Sequence, residues 1–247
     1  MAGNTSTAGA SVVSRALSVL FAFDEKHRDL TLTELARRSD LPMATVHRLA
    51  KELVAGDALI RRPDGRYLVS RRVWDIGLLA HVQTGVRQVA SPFLNDIHAA
   101  TLATVHLAVR DGRNVLYLER LSGRASVPII SRVGSRLPMH ATGVGKVLLA
   151  HAPKSVVDDV FAHLTRQTPF TVTEPGRLRG QLARVRRDGF ATTIEEMTLG
   201  ACSIAVPVRK DGVVVASIGI VVPHFGRSRT VLLTALQVAA QGISRNL

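Results

Sequence analysis

The stretch LPMATVHRLAKEL, residues 41–53, carries polar side chains of the kinds that contact nucleic acids. Helical spacing puts its apolar residues on one face, which we expect to be buried: Val46, Leu49, Ala50 and Leu53. The other face presents a different set: Met43, Thr45, His47, Arg48 and Lys51. An arginine such as Arg48 can pair bidentately with guanine, and Lys51, one turn later, is suited to a phosphate. For this helix alone, a face that is merely solvated is an equal alternative.

The stretch LPMHATGVGKVLLA, residues 137–150, places glycines and a threonine where a strand-like segment passes into a helix. Backbone amides at a helix N-terminus bind anions, and glycine lets a ligand approach the chain closely. Thr142 can cap this helix or contact a ligand. The stretch is not a nucleotide P-loop, because His140 replaces the first glycine of that motif and Val147 follows Lys146 where Ser or Thr is required. A tight packing turn is the alternative.

Motifs of catalysis and metal binding are not visible in the sequence. It contains none of the patterns H-E-x-x-H, G-x-S-x-G and G-x-G-x-x-G. Cys202 could pair with a distant histidine as a nucleophile, but a lone cysteine in an apolar run is more often a core residue. His106 alternates with apolar neighbours, which predicts a sheet surface or a pocket wall, and Glu195 and Glu196 are expected to be solvated or paired with arginines of segment 177–187. We therefore predict no catalytic residue, no metal site and no cofactor.

The elements around residues 41–53 follow the order of a winged helix-turn-helix. Residues 14–23 predict a helix with one apolar stripe: Leu17, Leu20 and Phe21. A second helix begins at Thr31, with Glu34 at capping-box spacing, and a third follows Pro42. Two β-prone runs around Asp64-Gly65 then predict a hairpin with basic residues at its turn: Arg61, Arg62 and Arg66. In such a domain the third helix enters the major groove and the basic wing grips nearby phosphate or the minor groove.

From about residue 87 the pattern predicts an α+β domain with an antiparallel sheet flanked by helices. Apolar residues alternate around Asp111-Gly112 and Asp211-Gly212, which indicates two hairpins. Helices are predicted at about 90–101, 177–189 and 228–245 from three apolar stripes: Phe93, Leu94 and Ile97; Leu178, Leu182 and Val185; Leu232, Leu236 and Ala239.

Composition and charge restrict the partners. The chain has 247 residues, a net charge of +13 and 46% hydrophobic residues. This charge favours a polyanionic partner such as nucleic acid, although basic proteins without one are common. No apolar run reaches the roughly 18 residues of a membrane span, no secretion signal is visible, and a single cysteine excludes an internal disulfide. We therefore expect a cytoplasmic protein with no membrane partner.

Residues 31–70 resemble the DNA-binding domain of the IclR family of bacterial transcription regulators. The shared pattern is a helix of the kind LP-x-x-TVHRL followed by a wing of the kind DGRY-x-L. RRVWDIGLLA, residues 71–80, is similar to the family's interdomain helix. The segments 137–150 and 189–208 resemble its C-terminal half, so the resemblance covers most of the chain. It implies a GAF-like effector-binding domain whose pocket holds a small molecule, commonly a carboxylate.

By that resemblance, Gly143 and Val144 would contact the effector through their backbone, and Ile129 and Leu137 would form apolar walls. The chain departs from the family where members often have an Asp, a Cys and two polar strand residues: it has Thr193, Ser203, Gly219 and Val221 instead. Loss of a carboxylate and of side-chain bulk favours a larger and flatter anion. The hypothesis for the effector is therefore an aromatic carboxylate.

The sequence thus predicts a ligand-responsive transcription regulator of a catabolic operon. Its expected parts are a winged helix-turn-helix at 1–70, a linker helix at 71–86 and an effector-binding domain at 87–247. The resemblance also implies a homodimer, or a dimer of dimers, on a palindromic double-stranded operator, with repression and activation both open. The alternatives are a non-specific nucleic-acid-binding protein and an enzyme that uses Cys202.

Overall fold

The computed structural model describes residues 11–24, 27–79, 84–123, 127, 129–226 and 229–247. The chain forms two compact units, residues 1–82 and 83–247, and each is described by itself. Within the described residues, none of the helices combines the length and apolarity needed to cross a membrane.

The first unit combines helices with a small antiparallel sheet. Its described helices are α1 (Val12–Leu20), α2 (Leu32–Ser39), α3 (Met43–Ala55) and α4 (Arg71–Leu78). Its strands are β1 (Asp29–Leu30), β2 (Leu59–Arg61) and β3 (Tyr67–Val69), in the order β1-β3-β2. The three helices and the hairpin occur in the predicted order, whereas β1 was not predicted.

Local signals explain how α2 begins and ends. The Thr31 hydroxyl accepts a hydrogen bond from the Glu34 amide, and the Glu34 carboxylate accepts one from the Thr31 amide at 2.8 Å. This is the predicted capping box, a feature that stabilises a helix by about 1 kcal/mol. Asp40, at φ 52°, ends the helix in the left-handed region. The resulting turn packs α2 and α3 around one core, which includes Leu35, Val46, Leu49 and Tyr67.

Helix α1 presents a different face to that core than predicted. Val19 and Ala22 are buried, whereas Leu17 and Phe21 are 43% and 78% exposed. Phe21 is the C-cap of α1: its backbone is still helical, at φ −76°, and its amide donates to the Leu17 carbonyl at 2.8 Å, so Leu17 and Phe21 do share one face, and that face is exposed. The expected stripe of Leu17, Leu20 and Phe21 is therefore wrong, although Leu20 does pack partly against the core. The predicted linker helix at 71–86 corresponds to α4 at its start, while residues 80–83 lie outside the described residues.

The second unit is a six-stranded antiparallel sheet with helices on both faces. Its strands are β4 (Thr104–Asp111), β5 (Asn114–Leu121), β6 (Arg136–Pro138), β7 (Ala191–Ile194), β8 (Cys202–Lys210) and β9 (Val213–Val222), in the order β6-β5-β4-β9-β8-β7. Its described helices are α5 (Thr84–Thr101), α6 (Gly143–Ala150), α7 (Lys154–Ala162), α8 (Pro175–Asp188) and α9 (Arg229–Arg245). The α+β prediction is confirmed, and α7 is an element that was not predicted.

Strand alternation divides the second unit into two cores. Val105, Leu107 and Val109 of β4 pack with α5 and α9 on one face of the sheet, whereas Ala108 packs with α6 and α8 on the other. The predicted inward stripes of α5, α8 and α9 are confirmed, with Phe93 only partly buried. Asp111-Gly112 and Asp211-Gly212 form the predicted hairpin turns, and all four residues have positive φ.

Candidate functional site

The exposed face of α3 carries the residues predicted to meet DNA. Val46, Leu49 and Ala50 are buried on one side of the helix. On the other side four predicted residues are exposed and one is half-buried: Met43, His47, Arg48 and Lys51, then Thr45. Among the described residues no carboxylate forms an ion pair with Arg48 or Lys51. The helix therefore presents two cations whose charge is available to an external anion.

The three predicted hairpin arginines differ in their surroundings. Arg66 Nη1 lies 3.2 Å from Asp29 Oδ1 and 3.6 Å from Glu34 Oε2. Arg62 lies 3.7 Å from Asp29 Oδ2. Arg61 instead lies over the ring of Tyr67, 5.9 Å from its centroid. Three carboxylates thus balance much of the charge of Arg62 and Arg66 within the fold: Asp29, Glu34 and Asp64. Asp29 lies on β1, a strand that was not predicted.

A pocket lies between the sheet and the N-terminus of α6, with about 490 Å³ of empty space including its open mouth. All nine residues predicted to contact an effector line it: Ile129, Leu137, Thr142, Gly143, Val144, Thr193, Ser203, Gly219 and Val221. The lining also includes residues that were not predicted to contact an effector, among them Tyr117, Ser131 and Met197.

The N-terminus of α6 supplies hydrogen-bond donors to this pocket. Thr142 caps the helix, as one reading of the sequence had it: its hydroxyl accepts from the Gly145 amide at 3.2 Å and its carbonyl from the Lys146 amide at 2.9 Å. The amides of Gly143 and Val144 have no acceptor among the described residues. Two unpaired amides at the positive end of a helix have the chemistry to bind one small anion.

Two glycines of the pocket are required by packing between α6 and the sheet. A Cβ atom at Gly143 would lie 2.5 Å from Ser203 Oγ. A Cβ at Gly219 would lie 3.0 Å from a methyl of Val144 and 3.1 Å from Ala205 Cβ. Gly219 lines the pocket and lets Val144 pack closely against β9, and the enlargement of the pocket by loss of bulk at this position stays a prediction.

Two pairs of neutral polar side chains line the pocket. Thr193 Oγ1 and Ser203 Oγ lie 2.6 Å apart, and Ser131 Oγ lies 2.9 Å from His106 Nε2. Burial lowers the pKa of His106 to about 3, so its imidazole is uncharged at neutral pH. Burial also raises the pKa of Tyr117, whose ring meets that of His106 edge-on at 4.8 Å. The described lining contains no carboxylate, ammonium or guanidinium group, so the positive end of α6 is the candidate for holding an anion there.

A buried ion pair lies behind the pocket. Lys146 Nζ, on α6, donates to Glu196 Oε1 at 2.5 Å, and both side chains are almost fully buried. The backbone carbonyl of Glu196 accepts from Thr171 Oγ1 at 2.7 Å. The expectation that Glu196 is solvated or pairs with the 177–187 arginines is therefore wrong. The pair joins α6 to the segment that supplies Met197 to the pocket, and burial lowers the pKa of Lys146.

The structure shows where the residues considered for catalysis and metal binding lie. Cys202 is buried at the start of β8, and burial raises the pKa of its thiol, which disfavours the nucleophilic thiolate. His106, by contrast, lies on a pocket wall as one reading of its pattern predicted. Within the described part of the chain, no group of three or more His, Cys, Asp or Glu side chains is placed to hold a metal ion.

Comparison with known proteins gives matches over nearly the whole chain. A family model described as the IclR helix-turn-helix domain matches residues 12–63, and one described as Bacterial transcriptional regulator IclR C-terminal matches residues 79–245. The regulator XynR of Escherichia coli K12 is 32% identical over 199 residues, 79% of each chain. A crystal structure of an IclR homolog from Microbacterium hydrocarbonoxydans, complexed with 4-hydroxybenzoate, is 35% identical with a TM-score of 0.91, over 96% of this chain and 99% of that one. The Thermotoga maritima IclR structure is 26% identical with a TM-score of 0.78, over 95% and 98%.

Proposed function

This chain belongs to the IclR family of bacterial transcription regulators, and we propose that it binds its operator through α3 and an aromatic carboxylate through the pocket at α6. It is a DNA-binding regulator with a C-terminal effector-binding domain. The proposed division is a winged helix-turn-helix at 1–70, a linker helix at 71–86 and the effector domain at 87–247. A regulator of chromosomal DNA acts in the cytoplasm, and the proposed activity needs no cofactor and no catalysis.

The proposed DNA contacts follow from exposure and charge. Thr45, His47 and Arg48 lie on the outer face of α3 near its N-terminal end, where recognition helices meet base edges. Lys51 and Arg61 have no carboxylate partner among the described residues, so we assign them to phosphates. Arg62 and Arg66 share Asp29, so a phosphate contact by either must compete with that carboxylate.

The proposed effector class follows from the contrast between unpaired backbone amides and apolar side chains in the pocket. The unpaired Gly143 and Val144 amides favour one small anionic group, and the apolar lining favours a hydrophobic body attached to it. A monocarboxylate on an aromatic ring combines these two properties. The neighbour from M. hydrocarbonoxydans was crystallised with an acid of this kind, 4-hydroxybenzoate. The observation that carries the proposal is the pair of unpaired amides, of Gly143 and Val144, in a pocket whose described side chains are uncharged.

Self-association is part of the proposal. The helices of the first unit expose large apolar side chains, with Phe21 after α1 at 78%, and Trp74 and Leu79 at α4 at 58% and 76%. Apolar side chains of this size on a surface are typical of protein interfaces. One recognition helix also reads too few base pairs for useful specificity. We therefore propose a homodimer, or a dimer of dimers, on a palindromic duplex, where the effector shifts DNA affinity by its different affinity for two arrangements of the DNA-binding domains.

The experiment is fluorescence anisotropy of the full chain with the duplex upstream of its own gene and with a random duplex, each with and without a set of small acids. We expect a preference of about 10³ or more for the upstream duplex, altered by an aromatic acid and not by acetate. Arg113→Ala, which removes an exposed arginine of the second unit, is the control for charge alone. Equal affinity for both duplexes would favour non-specific binding, and a preference that no acid alters would refute the proposed effector.

A further inference from the structure

His106 and Ser131 form a polar cluster in the pocket lining, at a distance from the α6 amides. Gly143 packs against Ser203 and Ala205 of β8. His106 lies on β4, and β9 separates the two strands: Ala205 is opposite Gly219, which is opposite His106. Neighbouring strands are about 4.8 Å apart, so the backbones at Ala205 and His106 are about 10 Å apart. This separation suits a substituted aromatic ring that lies between the amides and His106.

The geometry of His106 prepares it to hydrogen-bond a ligand. Its Nε2 pairs with Ser131 Oγ at 2.9 Å, and Tyr117 holds the ring edge-on at 4.8 Å. No described residue forms a hydrogen bond with its Nδ1. Burial keeps the imidazole neutral, and a neutral imidazole has one donor and one acceptor nitrogen. The cluster can therefore give or accept a hydrogen bond, but it carries no charge to balance an anion.

We propose that His106 and Ser131 form a second recognition point, which selects aromatic carboxylates that carry a neutral hydroxyl or amino group on the ring position opposite the carboxylate. The inference rests on the proposed function, because it assumes that the carboxylate binds at the α6 amides. A second carboxylate at His106 would be buried in a lining without a counter-charge, which is unfavourable. An apolar substituent would leave the polar atoms of the cluster without a ligand partner.

Arg120 is the feature that could reverse this preference. It lies opposite His106 in the β4–β5 pair, and its Nε is buried without a hydrogen-bond partner among the described residues. It is not part of the described pocket lining. A ligand with a second carboxylate would need its guanidinium to move to that lining. Terephthalate therefore discriminates between an uncharged recognition point at His106 and a cationic one at Arg120.

The test is titration calorimetry of the full chain with benzoate, 4-hydroxybenzoate, 4-methylbenzoate and terephthalate. We expect 4-hydroxybenzoate to bind about tenfold more tightly than benzoate, the factor that one hydrogen bond in a water-poor site supplies. We expect 4-methylbenzoate and terephthalate to bind no more tightly than benzoate. The methyl compound matches the hydroxyl in size, so it separates hydrogen bonding from filling of space.

Two variants test whether the side chains of His106 and Ser131 cause the preference for 4-hydroxybenzoate over benzoate. His106→Phe keeps a ring against Tyr117 and removes both nitrogens, so the ratio of the benzoate and 4-hydroxybenzoate dissociation constants should fall to near one while benzoate still binds. Ser131→Ala should lower the ratio in the same direction, and it carries the test if His106→Phe does not fold. His163→Phe makes the same exchange at an exposed histidine that follows α7, outside the pocket lining, and should leave the ratio unchanged.

Three results would overturn the inference and leave the proposed function intact. They are equal binding of benzoate and 4-hydroxybenzoate, tightest binding of terephthalate, and a hydroxyl preference that survives both pocket variants. Failure of all four aromatic acids to bind would instead refute the proposed effector class, and the inference would fall with it.

Discussion

Replacement of Lys146 by Met should strongly destabilise the second unit. Lys146→Met leaves the Glu196 carboxylate almost fully buried without its cation, although its other oxygen is 3.4 Å from the Val172 amide. Breaking a buried ion pair by removing one partner costs about 3–5 kcal/mol. The double variant Lys146→Met/Glu196→Leu removes both charges and should recover most of that loss, because apolar groups of similar volume replace buried pairs well.

Native-state hydrogen exchange, measured on peptides from β8, reports the free energy of unfolding of this unit separately from the first. A loss of 3 kcal/mol or more accelerates the slowest amides by at least about 100-fold, since each 1.4 kcal/mol is a factor of ten. The matched control is Arg136→Met, which breaks the exposed pair with Asp111 and should change stability by less than about 1 kcal/mol. Equal effects of Lys146→Met and Arg136→Met would refute the reasoning that burial makes this pair costly to break.

Three further changes test the proposed sites and the electrostatics. Arg48→Ala should weaken operator binding by about 1–3 kcal/mol and relax base preference in anisotropy titrations; an equal loss on random DNA would make Arg48 a phosphate contact. Gly143→Val should abolish effector binding in calorimetry, because its side chain would meet Ser203 Oγ and displace the amides, while operator binding stays unchanged; unaltered ligand affinity would place the pocket elsewhere. The pKa of His106 is lowered to about 3, so as pH falls from 6.5 toward 3 the unfolded state binds a proton that the folded state does not. This group should therefore lower the free energy of unfolding by up to about 1.4 kcal/mol per pH unit. In urea unfolding at pH 7 and pH 5, His106→Phe should lose less of that free energy than the wild type; equal losses would contradict a buried neutral histidine.

Features set by neighbouring residues were readable from the sequence. The two faces of α3, the capping box at Thr31 and the Asp-Gly hairpin turns depend on residues within a few positions of one another, and all are present in the structure. Eight of the nine pocket residues came from comparison with a family and Thr142 from its place before a helix, and the fold does bring all nine around one cavity. At α1 the spacing put Leu17 and Phe21 on one face, but the choice of buried face was wrong: Val19 and Ala22 lie in the core, whereas Leu17 and Phe21 are exposed.

Only the tertiary structure decided which distant groups meet. Lys146 and Glu196 are 50 positions apart and His106 and Ser131 are 25 apart, and no local pattern marks either pair. The same holds for Asp29, which reaches Arg66 because β1 pairs with β3. Periodicity indicates which side of an element is apolar, because burial of apolar surface is non-directional. A hydrogen bond or ion pair requires particular atoms at about 3 Å, and strand order and helix packing determine that distance.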